Sequence, residues 1–210
     1  LIHTPDEYVN QIYKEDEHLE HVKESIKELG MPEVSVAPAY GRLLTILVQT
    51  SRVQNALEIG ALGGYSGICI ARGLPVNGQL LSLELKEEYA NLAKENLEAA
   101  GFGSFVNYKI GPALDSLEKL KKEDRKFDFF FIDADKENYP MYLEYAIMMA
   151  NPGALIVGDN CFLRGRTLNT DKNGPGVQGM RRFNEQVASD DRLISTLLPD
   201  YDGLSISWVK

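Results

Sequence analysis

The sequence predicts an α/β fold: helices at the N-terminus, then a doubly wound, mostly parallel sheet that ends in an antiparallel hairpin. Three observations predict it. From residue 56 onward, short apolar runs alternate with helical stretches, the pattern of a parallel sheet with helices on both faces. One run, Phe127-Asp128-Phe129-Phe130-Phe131-Ile132, suits a strand buried on both sides. The last two runs, residues 193–198 and 204–209, are joined only by Pro199-Asp200-Tyr201-Asp202-Gly203. That link is too short for a parallel crossover, so the two runs should pair antiparallel.

The elements follow in order. Residues 6–29 read as one amphipathic helix. Thr4 can cap it, Pro5 suits its first turn, and Asp6 and Glu7 favour its positive end. Gly30 and Pro32 stop it, and a second helix is expected over 39–51, after Pro38. Strands are expected at 56–59, 79–84, 106–110, 127–132 and 154–157. Helices are expected between them at 66–73, 87–100, 112–120 and 139–150. A further helix over 177–188 precedes the two terminal runs. Residues 164–176 are polar and Gly-rich and read as a mobile surface loop.

The 210 residues fit one domain, with N-terminal helices over 1–52 and a core over 53–210. A formal net charge of −9 disfavours broad binding to nucleic acid. Arg164, Arg166, Lys172, Arg181 and Arg182 gather in one region and read as a solvated loop and helix face. No apolar run approaches the length of a membrane span, and the N-terminus lacks the pattern of a signal peptide. Two cysteines, Cys69 and Cys161, make no disulfide framework, so a reducing, cytoplasmic setting is expected. His18 and His21 share a helix face and read as surface residues.

The most informative segment is Leu57-Glu58-Ile59-Gly60-Ala61-Leu62-Gly63-Gly64-Tyr65-Ser66, a strand ending in a glycine-rich turn that opens a helix. Ligands of open α/β sheets bind where such turns lie. A dinucleotide fingerprint would read G-x-G-x-x-G, and this turn lacks its second glycine. It carries instead Glu58, a poor neighbour for pyrophosphate and a good one for the ammonium of an amino-acid moiety. Glu84 ends the next strand, where a carboxylate can accept hydrogen bonds from both ribose hydroxyls. For either acid alone, a cofactor contact and a plain turn or helix-cap residue are equally good readings. In this order, an amino-acid end and a ribose end together describe S-adenosylmethionine. An NAD-binding oxidoreductase is disfavoured by the same glycine pattern.

A second segment, Phe131-Ile132-Asp133-Ala134-Asp135-Lys136, follows the buried strand, and Ile156-Val157-Gly158-Asp159-Asn160 ends the next. If those strands are neighbours, Asp133, Asp159 and Asn160 converge on one rim. Two carboxylates and an amide oxygen suit Mg²⁺ or a similar hard cation (Mn²⁺ or Ca²⁺), and zinc less. The competing reading is that these acids cap the following helices. Lys136 stands three residues past Asp133 and, beside a metal ion and a bound phenol, can serve as a general base. Cys161 reads as a packing residue, since no histidine accompanies it.

These residues carry a resemblance. From about Val34 to Lys210 the chain resembles the metal-dependent O-methyltransferases that include catechol and caffeoyl-CoA O-methyltransferases, especially their small bacterial members. The shared motifs are Glu58-Ile-Gly-x-x-x-Gly-Tyr-Ser66, Glu84, Gly111-Pro-Ala-Leu114, Phe131-Ile-Asp-Ala-Asp-Lys136 with Asn138-Tyr139, and Asp159-Asn160. The resemblance implies a Rossmann-like, seven-stranded sheet and transfer of a methyl group from S-adenosylmethionine to a catechol-like hydroxyl. The acceptor would be a small phenolic, flavonoid or caffeoyl molecule. It implies Asp133, Asp159 and Asn160 as metal ligands, and Lys136, with Asp133, as catalytic residues. Glu58, Gly60, Ser66, Glu84, Ala113 and Asp133 would be cofactor contacts, with Val36 and Asp135 as weaker candidates. Relatives are commonly dimers, so a homodimer is expected. A branch of the same family that methylates a hydroxylated uridine of tRNA is the alternative, supported only by the basic cluster. Ala37-Pro38-Ala39-Tyr40-Gly41-Arg42 departs from the Ser-Ala-Asp-Glu-Gly-Gln type segment of many relatives, and Tyr201 replaces a glycine common in the last turn.

Overall fold

Thr4 starts the first helix, its hydroxyl accepting the Glu7 N–H at 3.2 Å, and α1 (Pro5–Ile12) follows with Asp6 and Glu7 in its first turn. The computed structural model describes residues 2–210. The single helix expected over 6–29 is two. Asp16 accepts the N–H groups of His18 at 3.1 Å and Leu19 at 3.3 Å and starts α2 (Glu17–Glu28). An aspartate cap begins a new helix without any glycine or proline to announce it. Glu15, just before the cap, accepts from the Tyr65 phenol and pairs with Lys23. α3 (Pro38–Thr50) begins on proline, whose missing N–H costs nothing in a first turn.

The remaining elements are β1 (Asn55–Ile59), α4 (Tyr65–Gly73), β2 (Gln79–Glu84), α5 (Glu87–Ala99), β3 (Val106–Ile110), α6 (Ala113–Lys122), β4 (Phe127–Ile132), α7 (Tyr139–Met149), β5 (Ala150–Asp159), α8 (Pro175–Ser189), β6 (Leu193–Leu198) and β7 (Leu204–Val209). They form one seven-stranded sheet of order β3-β2-β1-β4-β5-β7-β6. β2–β3, β1–β4 and β4–β5 are parallel. β7 runs antiparallel to β5 and also to β6, the latter as the short terminal link requires. β5 begins at Ala150, earlier than expected. A register shift lies between its pairings to Phe127 and Phe129, where Pro152 and Gly153 (φ +86°) fall. Proline and glycine are tolerated in strands at such irregularities.

The chain divides into two compact units: one ends at Gln54 and resumes over Ala61–Gly111, the other holds Asn55–Gly60 and Pro112–Lys210. The first buries Val22 and Ile26 of α2, Leu44 and Val48 of α3, Ile68 of α4, and Ala93 and Leu97 of α5. Gly64 sits at φ +89° before α4, and a Cβ there would lie 2.7 Å from the Leu97 side chain. The glycine turn is thus fixed by helix packing as well as by its backbone conformation. Asn96 of α5 donates to the Gly63 carbonyl at 2.8 Å and to Ser25 Oγ at 3.1 Å.

The second unit is built on β4, whose Phe127, Phe129, Phe130, Phe131 and Ile132 are all buried. Burial of each such side chain contributes about 1.5–3 kcal/mol. Asp128, the one polar residue of this strand, accepts the Asn55 N–H at 2.9 Å and the Asn151 amide at 2.7 Å, tying the starts of β1 and β5. Among the described residues no helix is long and apolar enough to cross a membrane.

Candidate active site at the ends of β4 and β5

β4 and β5 pair in the register Phe131↔Val157 and Ile132↔Gly158. The next residue along each strand is Asp133 and Asp159, so the register sets the two carboxylates at one rim. Asp133 continues the β1–β4 ladder by donating its N–H to the Ile59 carbonyl at 2.9 Å. Gly60 (φ +100°) follows β1 directly beside it.

Asp159 is buried, with 4% of its surface exposed, and its Oδ1 accepts the Asn160 N–H at 2.7 Å. Burial first, and then the charge of Asp133, push the Asp159 carboxyl well above the usual carboxylate range. Asn160 has φ +59°, a left-handed conformation that asparagine tolerates better than most residues. Lys136 Nζ donates to Asp133 Oδ1 at 2.8 Å and to the Tyr139 oxygen at 2.6 Å, and lies 4.5 Å from the Tyr139 ring centroid. Tyr139 is fully buried; burial first, and then the charges of Asp133 and Asp159, hold its phenol well above its ordinary pKa. Cys161 is buried and its thiol is pushed up to about 12 by burial, as suits a packing residue.

Two carboxylates with one lysine leave a net formal charge of −1 at this rim. A buried, ionised Asp159 is costly unless a cation faces it. The oxygen-only donor set of Asp133, Asp159 and Asn160 therefore fits a hard divalent cation. Among the described residues no group of three or more His, Cys, Asp or Glu side chains is arranged to hold a metal. A cation held here would need the Asn160 amide beside the two carboxylates.

The other expected site residues fall as follows. Glu58 lies within β1 and is 1% exposed, opposite Phe131 of β4. Glu84 is buried at the end of β2. Its Oε2 accepts the N–H groups of Ala61 and Leu62, both at 3.0 Å, and its Oε1 accepts that of Lys86 at 3.1 Å. Glu84 thus organises the glycine turn. Val36 and Ser66 are buried, Ser66 in the first turn of α4, and Ala113 opens α6. Asp135 is exposed and accepts from Asn138 Nδ2 at 2.6 Å and from the Tyr142 phenol. Its carboxylate already has local partners.

Two features escape the sequence reading. Tyr139 enters it only as part of a motif, although the spacing Asp133-x-x-Lys136-x-x-Tyr139 is a usable signal. The loop before α8, expected to be mobile, is a run of turns held by Arg181. That guanidinium donates to the carbonyls of Thr167 (2.9 Å), Asn169 (2.6 Å) and Arg166 (3.3 Å) and to Asn173 Oδ1 (3.0 Å). Arg166 Nε donates to the Leu163 carbonyl at 2.9 Å. The basic cluster is therefore not a wholly solvated face. His18 and His21 lie in α2.

Comparison with known proteins gives the family. A family model described as O-methyltransferase matches residues 9–209. The chain is 38% identical to a catechol O-methyltransferase of Niastella koreensis, covering 100% of this chain and 98% of that one. It is 30% identical to caffeoyl-CoA O-methyltransferase 2 of Zea mays, over 92% of this chain and 76% of that one. The crystal structure of an O-methyltransferase from Bacillus cereus in complex with SAH superposes with a TM-score of 0.91 at 40% identity, covering 98% of this chain and 96% of that one.

Proposed function

The chain belongs to the O-methyltransferase family and is an S-adenosylmethionine-dependent enzyme of it, and from that premise we propose that it methylates one hydroxyl of a catechol-like small molecule with the help of a divalent cation. One observation carries the reading: Lys136 stands 2.8 Å from Asp133 Oδ1, beside a second carboxylate, Asp159, that burial makes costly to ionise. A cation, most simply Mg²⁺, would be held by Asp133, Asp159 and Asn160 and would supply Lewis acidity that eases ionisation of the acceptor hydroxyl. S-adenosylmethionine supplies the activated methyl group. Glu58, Gly60, Ser66, Glu84 and Ala113 are the residues proposed to hold it, with Val36, Asp133 and Asp135 as further contacts.

Lys136 acts as the base. Acting from its amine form, it would take the proton of the acceptor hydroxyl and return to the ammonium that pairs with Asp133. The ionised oxygen then forms a bond to the methyl carbon as the carbon–sulfur bond breaks, and the neutral thioether leaves. Holding the oxygen and the methyl group in line supplies much of the rate.

The deciding experiment measures methyl transfer from labelled S-adenosylmethionine to catechol, flavonoid and caffeoyl acceptors, with Mg²⁺ and with EDTA. Full activity in EDTA would remove the metal from the reading, and transfer only to undermodified tRNA would replace the acceptor. The tRNA alternative gains nothing from Arg181, whose guanidinium is committed to its own loop.

A further inference from the structure

Tyr139 is the first residue of α7 and is fully buried. Its ring is core: it stands edge-on to Phe183 at a centroid distance of 5.2 Å and packs tilted against Tyr142 at 6.3 Å. Its oxygen is not explained by packing. That oxygen lies 2.9 Å from the Ile132 carbonyl, 3.1 Å from the Asp159 carbonyl and 2.6 Å from Lys136 Nζ.

A carbonyl oxygen only accepts, so the one phenolic hydrogen is drawn to Ile132 or Asp159. Towards Lys136 the phenol oxygen can then only accept. The lysine nitrogen therefore donates twice, to Asp133 Oδ1 and to Tyr139. A tetrahedral nitrogen bonded to its own carbon, with two N–H groups committed, has one direction left. That direction is the one through which the nitrogen can meet an acceptor hydroxyl.

We propose that Tyr139 is a positioning residue that, with Asp133, holds the Lys136 nitrogen so that its one uncommitted direction faces the acceptor hydroxyl. The two strand-end carbonyls matter to this role, because they take the phenolic hydrogen and leave the oxygen to accept from Lys136. The inference rests on the reading of Lys136 as base, and its test separates the two.

The test compares wild type, Tyr139→Phe, Lys136→Ala and the double variant on catechols of graded acidity, with thermal melting as a check on folding. Phenylalanine keeps the ring and removes only the oxygen. Tyr139→Phe should lower kcat about 10-fold or more with KM changed less than about two-fold, as misaimed catalytic groups do. The loss should be largest for weakly acidic catechols and should shrink for nitro-substituted ones, whose hydroxyl ionises with little help. In the Lys136→Ala background, itself lowered about 100-fold, Tyr139→Phe should cost nothing further. A kcat within about two-fold of wild type would overturn the proposal. So would a loss that is equal across all acceptors and additive with Lys136→Ala, which is what a purely structural oxygen would produce. If Lys136→Ala is itself active on every catechol, the base reading falls and Tyr139 falls with it. If Lys136→Ala is impaired and Tyr139→Phe is not, only the role of Tyr139 is lost.

Discussion

The backbone of Asp133 occupies the space into which any side chain at Gly60 would grow: a Cβ at position 60 would lie 2.1 Å from the Asp133 carbonyl oxygen. The turn after β1 and the first proposed metal ligand are therefore one mechanical unit. Gly60 also has φ +100°, outside the range other residues adopt readily. Gly60→Ala combines the clash with backbone strain and should cost on the order of 3 kcal/mol or more. For a chain of this size that is a fall in Tm of about 6 °C or more. Thermal melting checks this, and a melting temperature within a degree of wild type would show that the two backbones can part.

Glu84 accepts three backbone N–H groups with two oxygens. Glu84→Gln keeps the shape but turns one oxygen into a donor, so at least one of those N–H groups loses its acceptor. The expected cost is about 1–3 kcal/mol, because a buried donor is left without a partner. If Glu84 also holds the ribose hydroxyls, S-adenosylmethionine should bind about 10-fold or more weakly, as loss of charge-assisted hydrogen bonds implies. Calorimetric titration separates the two effects. A destabilised variant with wild-type cofactor affinity would restrict Glu84 to holding the turn.

Much of this fold is written locally. The strands show as apolar runs of the right length, and the short Pro199–Gly203 link dictates the antiparallel hairpin. Asp133, Asp159 and Glu84 show because each ends a short apolar run that reads as a strand. What the sequence hides is set by contacts between distant residues. The break between α1 and α2 depends on Asp16 turning its carboxylate onto the first N–H groups of α2, and on Glu15 meeting Tyr65 fifty positions away. The Tyr139 oxygen has meaning only once the Ile132 and Asp159 carbonyls are seen beside it. The first hydrogen bond is local, but the second needs β5 in place next to β4.

Arg181 holds its loop by donating to three backbone carbonyls and the Asn173 side chain. None of those bonds reaches the sheet, so their loss should free the loop without unfolding the chain. In Arg181→Ala, cleavage by chymotrypsin or thermolysin within residues 164–174 should be about 10-fold or more faster, since several hydrogen bonds that resist local opening are gone. Tm should fall only a few degrees, by about 1–2 kcal/mol. Unchanged cleavage with a large fall in Tm would mean that the loop is part of the global fold.

Asp159 offers the sharpest test, because stability and activity should move in opposite directions. Its carboxyl is held above the ordinary 3.8 of an aspartate by burial and then by the Asp133 charge. With the folded-state pKa raised, the ionised group opposes folding in full above that pKa. The penalty fades as pH falls from the folded towards the unfolded value and is gone below the latter. Asp159→Asn removes the charge and keeps an oxygen for the Asn160 N–H. In EDTA at about pH 8 the variant should therefore melt a few degrees higher than wild type, a gain on the order of 1 kcal/mol. At about pH 5 the gain should shrink, since wild type then takes up its proton on folding. Added Mg²⁺ should raise the Tm of wild type alone, and catalysis should be lost only in the variant. A variant that melts lower than wild type in EDTA at about pH 8 would show that the carboxylate is stabilised by its neighbours without a cation, and the case for a metal at this rim would lose its main physical support.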